Sequence, residues 1–212
     1  MSIPSQGPRA SQDPERTQAS WSDLDPAEKR ARLLRVAGEI FARDGLDAPM
    51  PAIAAAAGAG VGSIYRQFPS KHDLLAALVI ERLQETEDGA VEALASCEGA
   101  FPALIGLLWT LAERQAGDDV LGEAMATVSA HPAVQEALAS TTMALEELLA
   151  AARAEGRLRP DATSLDLRLL FAATRAAGAL EPGAWRRMLE LGIDALEAGA
   201  PTPAPAPAVA PA

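Results

Sequence analysis

Ser63, Tyr65, Arg66 and Gln67 lie close together in the stretch AGAGVGSIYRQFPSK, from Ala57 to Lys71. They offer two hydroxyls, a planar guanidinium and a carboxamide, which suits recognition by hydrogen bonds. An arginine fork matches guanine O6 and N7, and a glutamine matches adenine N6 and N7. Such a set on one short helix could read a DNA groove. The spacing of Ala54, Gly58 and Ile64 fits a helix-turn-helix. A small residue on the first helix lets the second approach, a turn glycine takes positive φ without strain, and an apolar residue on the second helix closes a small core.

Other chemistries lack their parts. The two histidines, His72 and His131, are far apart in sequence, and Cys97 has no obvious base partner. No His/Cys metal-ligand spacing, Gly-rich phosphate loop or nucleophile elbow is present. The chain is therefore expected not to be an enzyme, with no cofactor, no catalytic residues and no metal. No uncharged apolar run of about 18 residues suggests a membrane span, and the N-terminus has no apolar signal core. The single Cys97 cannot form an internal disulfide. A cytoplasmic location with no membrane partner is expected.

Net charge is −11 over 212 residues, which would repel DNA, but its distribution is uneven. Residues 26–72 carry seven Lys or Arg against four Asp or Glu, whereas residues 73–212 carry nine against twenty-one. The local field, positive only around the helix-turn-helix, is what a polyanion meets.

The elements that must position these side chains are helical throughout. Asp25, Pro26 and Glu28 form a cap, a first-turn proline and a capping-box partner; the helix they start carries Leu33, Leu34, Ala37, Ile40 and Phe41 at helical spacing and stops at Gly45. Short helices are expected at about 51–57 and 61–67, and a fourth from Ser70, with Asp73 three residues on, to about Glu87. Further apolar periodicity marks 101–115, 119–129, 132–155, 164–178 and 182–198, with breaks at Gly117, His131–Pro132, Gly156–Pro160 and Glu181–Pro182. No alternating strand pattern is visible. The fold class is all-α, about nine helices: an N-terminal three-helix domain joined to a larger helical domain. The expected division is a disordered arm at 1–24, a helix-turn-helix domain including helix 4 at 25–88, a helical domain at 89–198, and a disordered Pro-Ala tail at 199–212. His131, before Pro132, reads as a loop residue.

With its flanks, the segment from about Lys29 to Leu78 resembles the TetR family of bacterial transcriptional regulators. The carrying residues are Ile40, Phe41, Gly45, Ile53, Ala54, Gly58, Gly62, Ile64, Tyr65, Phe68, Ser70, Lys71 and Leu74. The resemblance implies DNA-binding residues Val61, Gly62, Ser63, Tyr65, Arg66, Gln67 and Lys71. Ser63 and Tyr65 would bond phosphates through their hydroxyls, and Arg66 and Gln67 would face base edges or phosphates. Lys71, in the first turn of helix 4, would clamp a phosphate together with backbone N–H groups. Tyr65 could equally pack inside the head, Gln67 could be a solvated helix end, and Gly62 could merely weaken its helix. Two departures stand out. Gly60 and Val61 replace the polar cap and basic residue common in the family, so Val61 would touch a thymine methyl or belong to the core. Pro49, Met50 and Pro51 replace a Thr-rich start of helix 2.

The resemblance also implies a ligand pocket in the C-terminal domain. Candidates are Phe101, Leu104, Leu108, Trp109, Met125, Met143, Leu148, Phe171 and Arg175, adaptable apolar walls, with Thr110, Arg114, Thr127, Thr142 and Arg175 as polar groups that could orient an unknown small-molecule effector. Any single one could instead be ordinary core. The last two helices are more apolar than a monomer needs: Leu165, Leu169, Leu170, Ala172, Ala173 and Ala176 on one, with Trp185, Met188, Leu189, Leu191, Gly192, Ala195 and Leu196 on the other. Two such helices from each chain would make a four-helix dimer interface, or the same residues could form an internal core. The expected function is a homodimeric, ligand-responsive repressor on a palindromic double-stranded DNA operator. The alternatives are an activator or co-regulator of the same family, or a helical ligand-binding module that has lost DNA binding.

Overall fold

The computed structural model describes residues 20–95, 99–116 and 119–199. Most of the expected arm, Cys97, the Gly117 break and the Pro-Ala tail from residue 200 lie outside the described residues. Among the described residues there are nine α-helices and no strand, only an isolated antiparallel bridge between Leu158 and Glu197. The helices are α1 (Pro26–Asp44), α2 (Met50–Ala56), α3 (Val61–Gln67), α4 (Lys71–Leu94), α5 (Ala100–Ala116), α6 (Asp119–Val128), α7 (Pro132–Ala154), α8 (Ser164–Leu180) and α9 (Ala184–Leu196). The expectation of a disordered arm does not hold over its last residues. Trp21–Asp23 forms a 3-10 turn, and Trp21 packs against the apolar core of the head.

The capping chemistry read from sequence sets the helix starts. The Asp25 carboxylate accepts from the Glu28 N–H at 2.8 Å, and the Glu28 carboxylate accepts from the Asp25 N–H at 2.8 Å. Ser70 and Asp73 repeat this at α4, and Thr163 and Asp166 at α8. Each box satisfies N–H groups that a helix start would leave unpaired. Gly58, in the turn between α2 and α3, has φ +73°, a conformation costly for any other residue.

Helix α4 runs seven residues past its expected end at Glu87. Gly89 does not stop it. A Cβ there would lie 2.8 Å from Leu107 Cδ1, so the glycine admits α5 at close range. Ala90 and Ala93 are buried on the same stretch. The helix is held by packing, which outweighs the roughly 1 kcal/mol cost of an internal glycine.

Two apolar cores result. The first joins α1 to α4 and also takes in Ala124 and Val128 of α6 and Val134 of α7. The second joins the end of α4 to α5, α7, α8 and α9. The core that begins in the head therefore continues into α6 and the start of α7.

Candidate nucleic-acid interface and internal cavity

Helix α3 is anchored by one face. Ile64 and the following Phe68 are buried in the same apolar core as Ala54 and Ala57 of the α2 segment. The opposite face is open: Val61 is 48% exposed and Tyr65 45% exposed, one turn apart, with Gly62 and Arg66 beside them. Tyr65 and Val61 are thus not head core. A Cβ on Gly62 would meet nothing within 4 Å, so internal packing does not require the glycine. Ser63 and Gln67 are half-buried and, with Arg66, border a groove of about 220 Å³ whose other wall is Trp21, Pro26 and Lys29. Lys29 and Trp21 were not singled out from sequence as neighbours of α3. Lys29 sits on α1, and only its contribution to the local positive charge hinted at this place.

Behind α3, the Arg30 guanidinium lies 4.5 Å over the Phe68 ring, a cation–π contact that ties α1 to the end of the helix. The Lys71 ammonium donates to the Leu46 carbonyl at 2.6 Å. It therefore has an internal partner, joining α4 to the α1–α2 loop, and two N–H bonds remain for an outside acceptor. Asp73 caps α4, and the Ser70 hydroxyl holds its carboxyl below the ordinary range, assisted by His131, whose Nε2 lies 3.5 Å away. The His72 and His131 rings stand 5.5 Å apart. His131 is thus more than a loop residue: it is the N-cap position of α7 and lies against the first turn of α4.

Between the two cores lies a cavity of about 360 Å³. Leu108, Met125, Phe171 and Arg175, expected in a pocket, line it, as do Arg114 and Thr142. Leu83, Leu121, Leu138, Leu145 and Leu167 complete an apolar wall drawn from α4, α6, α7 and α8. The other five candidates stand elsewhere. Phe101, Leu104 and Leu148 face inward to the second core and are buried. Trp109 packs edge-on against Trp185 at 6.2 Å. Met143 is on the outer side of α7, 67% exposed. Thr110 and Thr127 do not reach the cavity; their hydroxyls bond the carbonyls one turn back, on Gly106 and Glu123. A second cavity of about 260 Å³ between α5, α8 and α9 shares Gln115 and Arg175 with the first. A Cβ on Gly122 would lie 1.7 Å from Arg175 Nη1, so the Arg175 side chain crosses α6 where only a glycine leaves room.

The expected dimer residues divide into two sets. Trp185, Leu189 and Leu196 are buried within the chain, and a Cβ on Gly192 would meet Leu170 Cδ1 at 2.1 Å. That face of α9 packs on its own α8 and α5. Leu165 and Leu169, 55% and 59% exposed, stay outside. They share a face of α8 with Ala172 and Ala176, while Ala173 and Met188 are half-buried. Leu180 and Leu191 are exposed as well.

Among the described residues no group of three or more His, Cys, Asp or Glu is placed to hold a metal ion. No described helix is long and apolar enough to cross a membrane.

Residues 33–78 match the sequence profile of the bacterial regulatory proteins of the tetR family. No curated protein matches the chain significantly. Solved structures do. The TetR transcription regulatory protein from Mycobacterium vanbaalenii is 32% identical, aligned over 79% of this chain and 94% of its own, with a TM-score of 0.59. The TetR transcriptional regulator SCO0520 from Streptomyces coelicolor is 26% identical over 80% of this chain and 99% of its own, TM-score 0.62. Thermus thermophilus FadR, a TetR family repressor in complex with lauroyl-CoA, shares the fold at 24% identity, over 86% of this chain and all of its own, TM-score 0.58. By its head, its all-helical fold and this identity over nearly the whole of a known member, the chain belongs to the TetR family of transcriptional regulators.

Proposed function

We propose that the protein is a cytoplasmic, non-enzymatic repressor that binds a palindromic operator as a homodimer and leaves it when a small molecule occupies the cavity. The head over residues 25–88 carries the DNA-reading surface. Its α3 enters the major groove with Val61, Gly62, Tyr65 and Arg66 foremost, and Ser63, Gln67 and Lys71 at the flanks. Lys29 adds positive charge beside them.

The observation that carries the ligand response is the position of α6. Leu121 and Met125 line the cavity, while Ala124 and Val128 of the same helix are buried in the core of the head. A ligand that displaces the cavity wall of α6 therefore moves a helix packed on α1 and α4. Release of DNA requires the ligand to bind the non-operator arrangement more tightly. The lauroyl-CoA of Thermus thermophilus FadR supports a small-molecule effector for this fold. The exposed face of α8 supports the dimer, which places two α3 helices on two half-sites.

The test compares the parent with Tyr65→Phe and Arg66→Ala on DNA taken from upstream of the protein's own gene. Loss of the tyrosine hydroxyl is expected to weaken binding about fivefold or more, one lost hydrogen bond per head to a charged phosphate. Arg66→Ala is expected to lower the salt slope by about 1 per head if it meets phosphate, or to relax sequence preference if it meets a base. Two variants that bind like the parent would refute the assigned surface.

A further inference from the structure

The effector cavity has a charge pattern of its own. Its lining includes four arginines and no aspartate or glutamate. Arg82 and Arg114 both reach Glu85, at 2.8 and 3.0 Å. Arg168 and Arg175 of α8 form no ion pair with another described residue. They stand seven residues apart on α8 with Phe171 between, a spacing that puts all three on one helix face. That face is distinct from the buried face of Leu167, Leu170 and Thr174, and from the exposed stripe of Leu165 and Leu169.

The hydroxyls around the cavity do not offer the same chemistry. Thr86, Thr141 and Thr142 each donate to a carbonyl one turn back in their own helix, on Arg82, Ala137 and Leu138. The Thr141 hydroxyl also reaches the Leu83 carbonyl. Their protons are committed, and lone pairs are what they show to a ligand. The strong donors left are guanidinium N–H groups, which match a carboxylate in a two-pronged, charge-assisted geometry. The remainder of the wall is leucine, methionine and phenylalanine with Gln115, Gly122 and Ser164; the Gln115 amide donates to the Phe171 carbonyl, and the Ser164 N–H to the Glu146 carboxylate.

We infer that the effector is an amphipathic anion, an apolar chain with a carboxylate head, and that the Arg168–Phe171–Arg175 face of α8 selects it: the chain lies against the leucine wall and a guanidinium of that face takes the head. This rests on the proposed role of the cavity as the effector site. It adds that charge, and not apolar bulk alone, decides which molecules fit. Arg175 is the arm through which that charge is felt at α6, because its guanidinium lies over Gly122.

The experiment is isothermal titration calorimetry of the full chain at neutral pH, where a carboxylic acid is ionised. The probes share one chain: decanoate, 1-decanol and decyltrimethylammonium. Decanoate is expected to bind at least about tenfold tighter than decanol, the return of one charge-assisted contact, with the cation weakest. Arg168→Gln with Arg175→Gln is expected to erase the preference of decanoate over decanol, and decanol binding by this variant reports whether its cavity is still formed. The ranking of the three probes on the parent needs no variant. Decanol binding as tightly as decanoate would overturn the inference and leave the cavity standing as a site. A preference retained in the double variant would overturn the assignment to α8. No binding of any probe would overturn this inference and the effector reading of the cavity together.

Discussion

Leu169 gives the sharpest test of the dimer. It is 59% exposed on α8, one turn from Leu165 at 55%. Burying a leucine side chain completely contributes about 2 kcal/mol, so closing the open part of Leu169 contributes roughly 1 kcal/mol per copy. A two-fold interface uses the same patch on both protomers, so Leu169→Ala is expected to cost the dimer about 2 kcal/mol, a roughly thirtyfold rise in its dissociation constant. Adding Leu165→Ala should about double the cost, with some departure from additivity because the two are neighbours. Sedimentation velocity over a concentration series reads the constant. The thermal midpoint under conditions where the chain is monomeric should hardly move, since exposed positions seldom contribute more than about 0.5 kcal/mol. An unchanged dissociation constant in the double variant, or a parent that is monomeric at every concentration, would refute the reasoning.

Two other outcomes follow from where the side chains stand. Leu104→Ala and Leu148→Ala, both fully buried in the second core, should each destabilise the fold by about 2–5 kcal/mol in chemical denaturation, whereas Met143→Ala should stay within about 0.5 kcal/mol; similar losses for all three would show that the burial is misassigned. Acid sensitivity should involve Glu155, whose carboxylate accepts from the Ala100 and Phe101 N–H groups at the start of α5. The Phe101 N–H, then that of Ala100, hold its pKa below the ordinary 4.5. Because the folded value is the lower one, its contribution is complete above about 4.5 and is lost as pH falls through the folded value. Stability measured against pH should therefore fall less steeply on the acid side in Glu155→Gln than in the parent, and parallel curves would remove Glu155 from the account.

The helices were legible because their signals are local. Asp25, Pro26 and Glu28, or Ser70 and Asp73, announce a start within four residues, and apolar residues at helical spacing do the rest. The end of α4, expected near Glu87, was not legible, because the stretch beyond it is held by packing on another helix, with Leu107 set close against Gly89. The head surface was readable for the same reason as its caps: in a seven-residue helix, burying Ile64 leaves Val61, Tyr65 and Arg66 outside. The cavity was not. Leu104 and Leu108 are one turn apart on α5 and equally apolar, yet only Leu108 lines it. Which side of a helix faces a void depends on the helices around it. On α9, Trp185, Leu189 and Gly192 had the small-and-apolar pattern of an interface, but that pattern serves equally for packing on α8 of the same chain. Lys71 carried a positive charge in a suggestive place, and its bond to the Leu46 carbonyl depends on a loop that periodicity cannot position.

The measurement that bears most directly on the central claim is fluorescence anisotropy of the full chain on DNA from upstream of its own gene, against random-sequence competitor, at two salt concentrations. The account predicts binding that survives competitor and weakens steeply with salt, as expected of a head proposed to neutralise several phosphates. Binding no tighter than that of the competitor, there and on every genomic fragment recovered by pull-down, would contradict it.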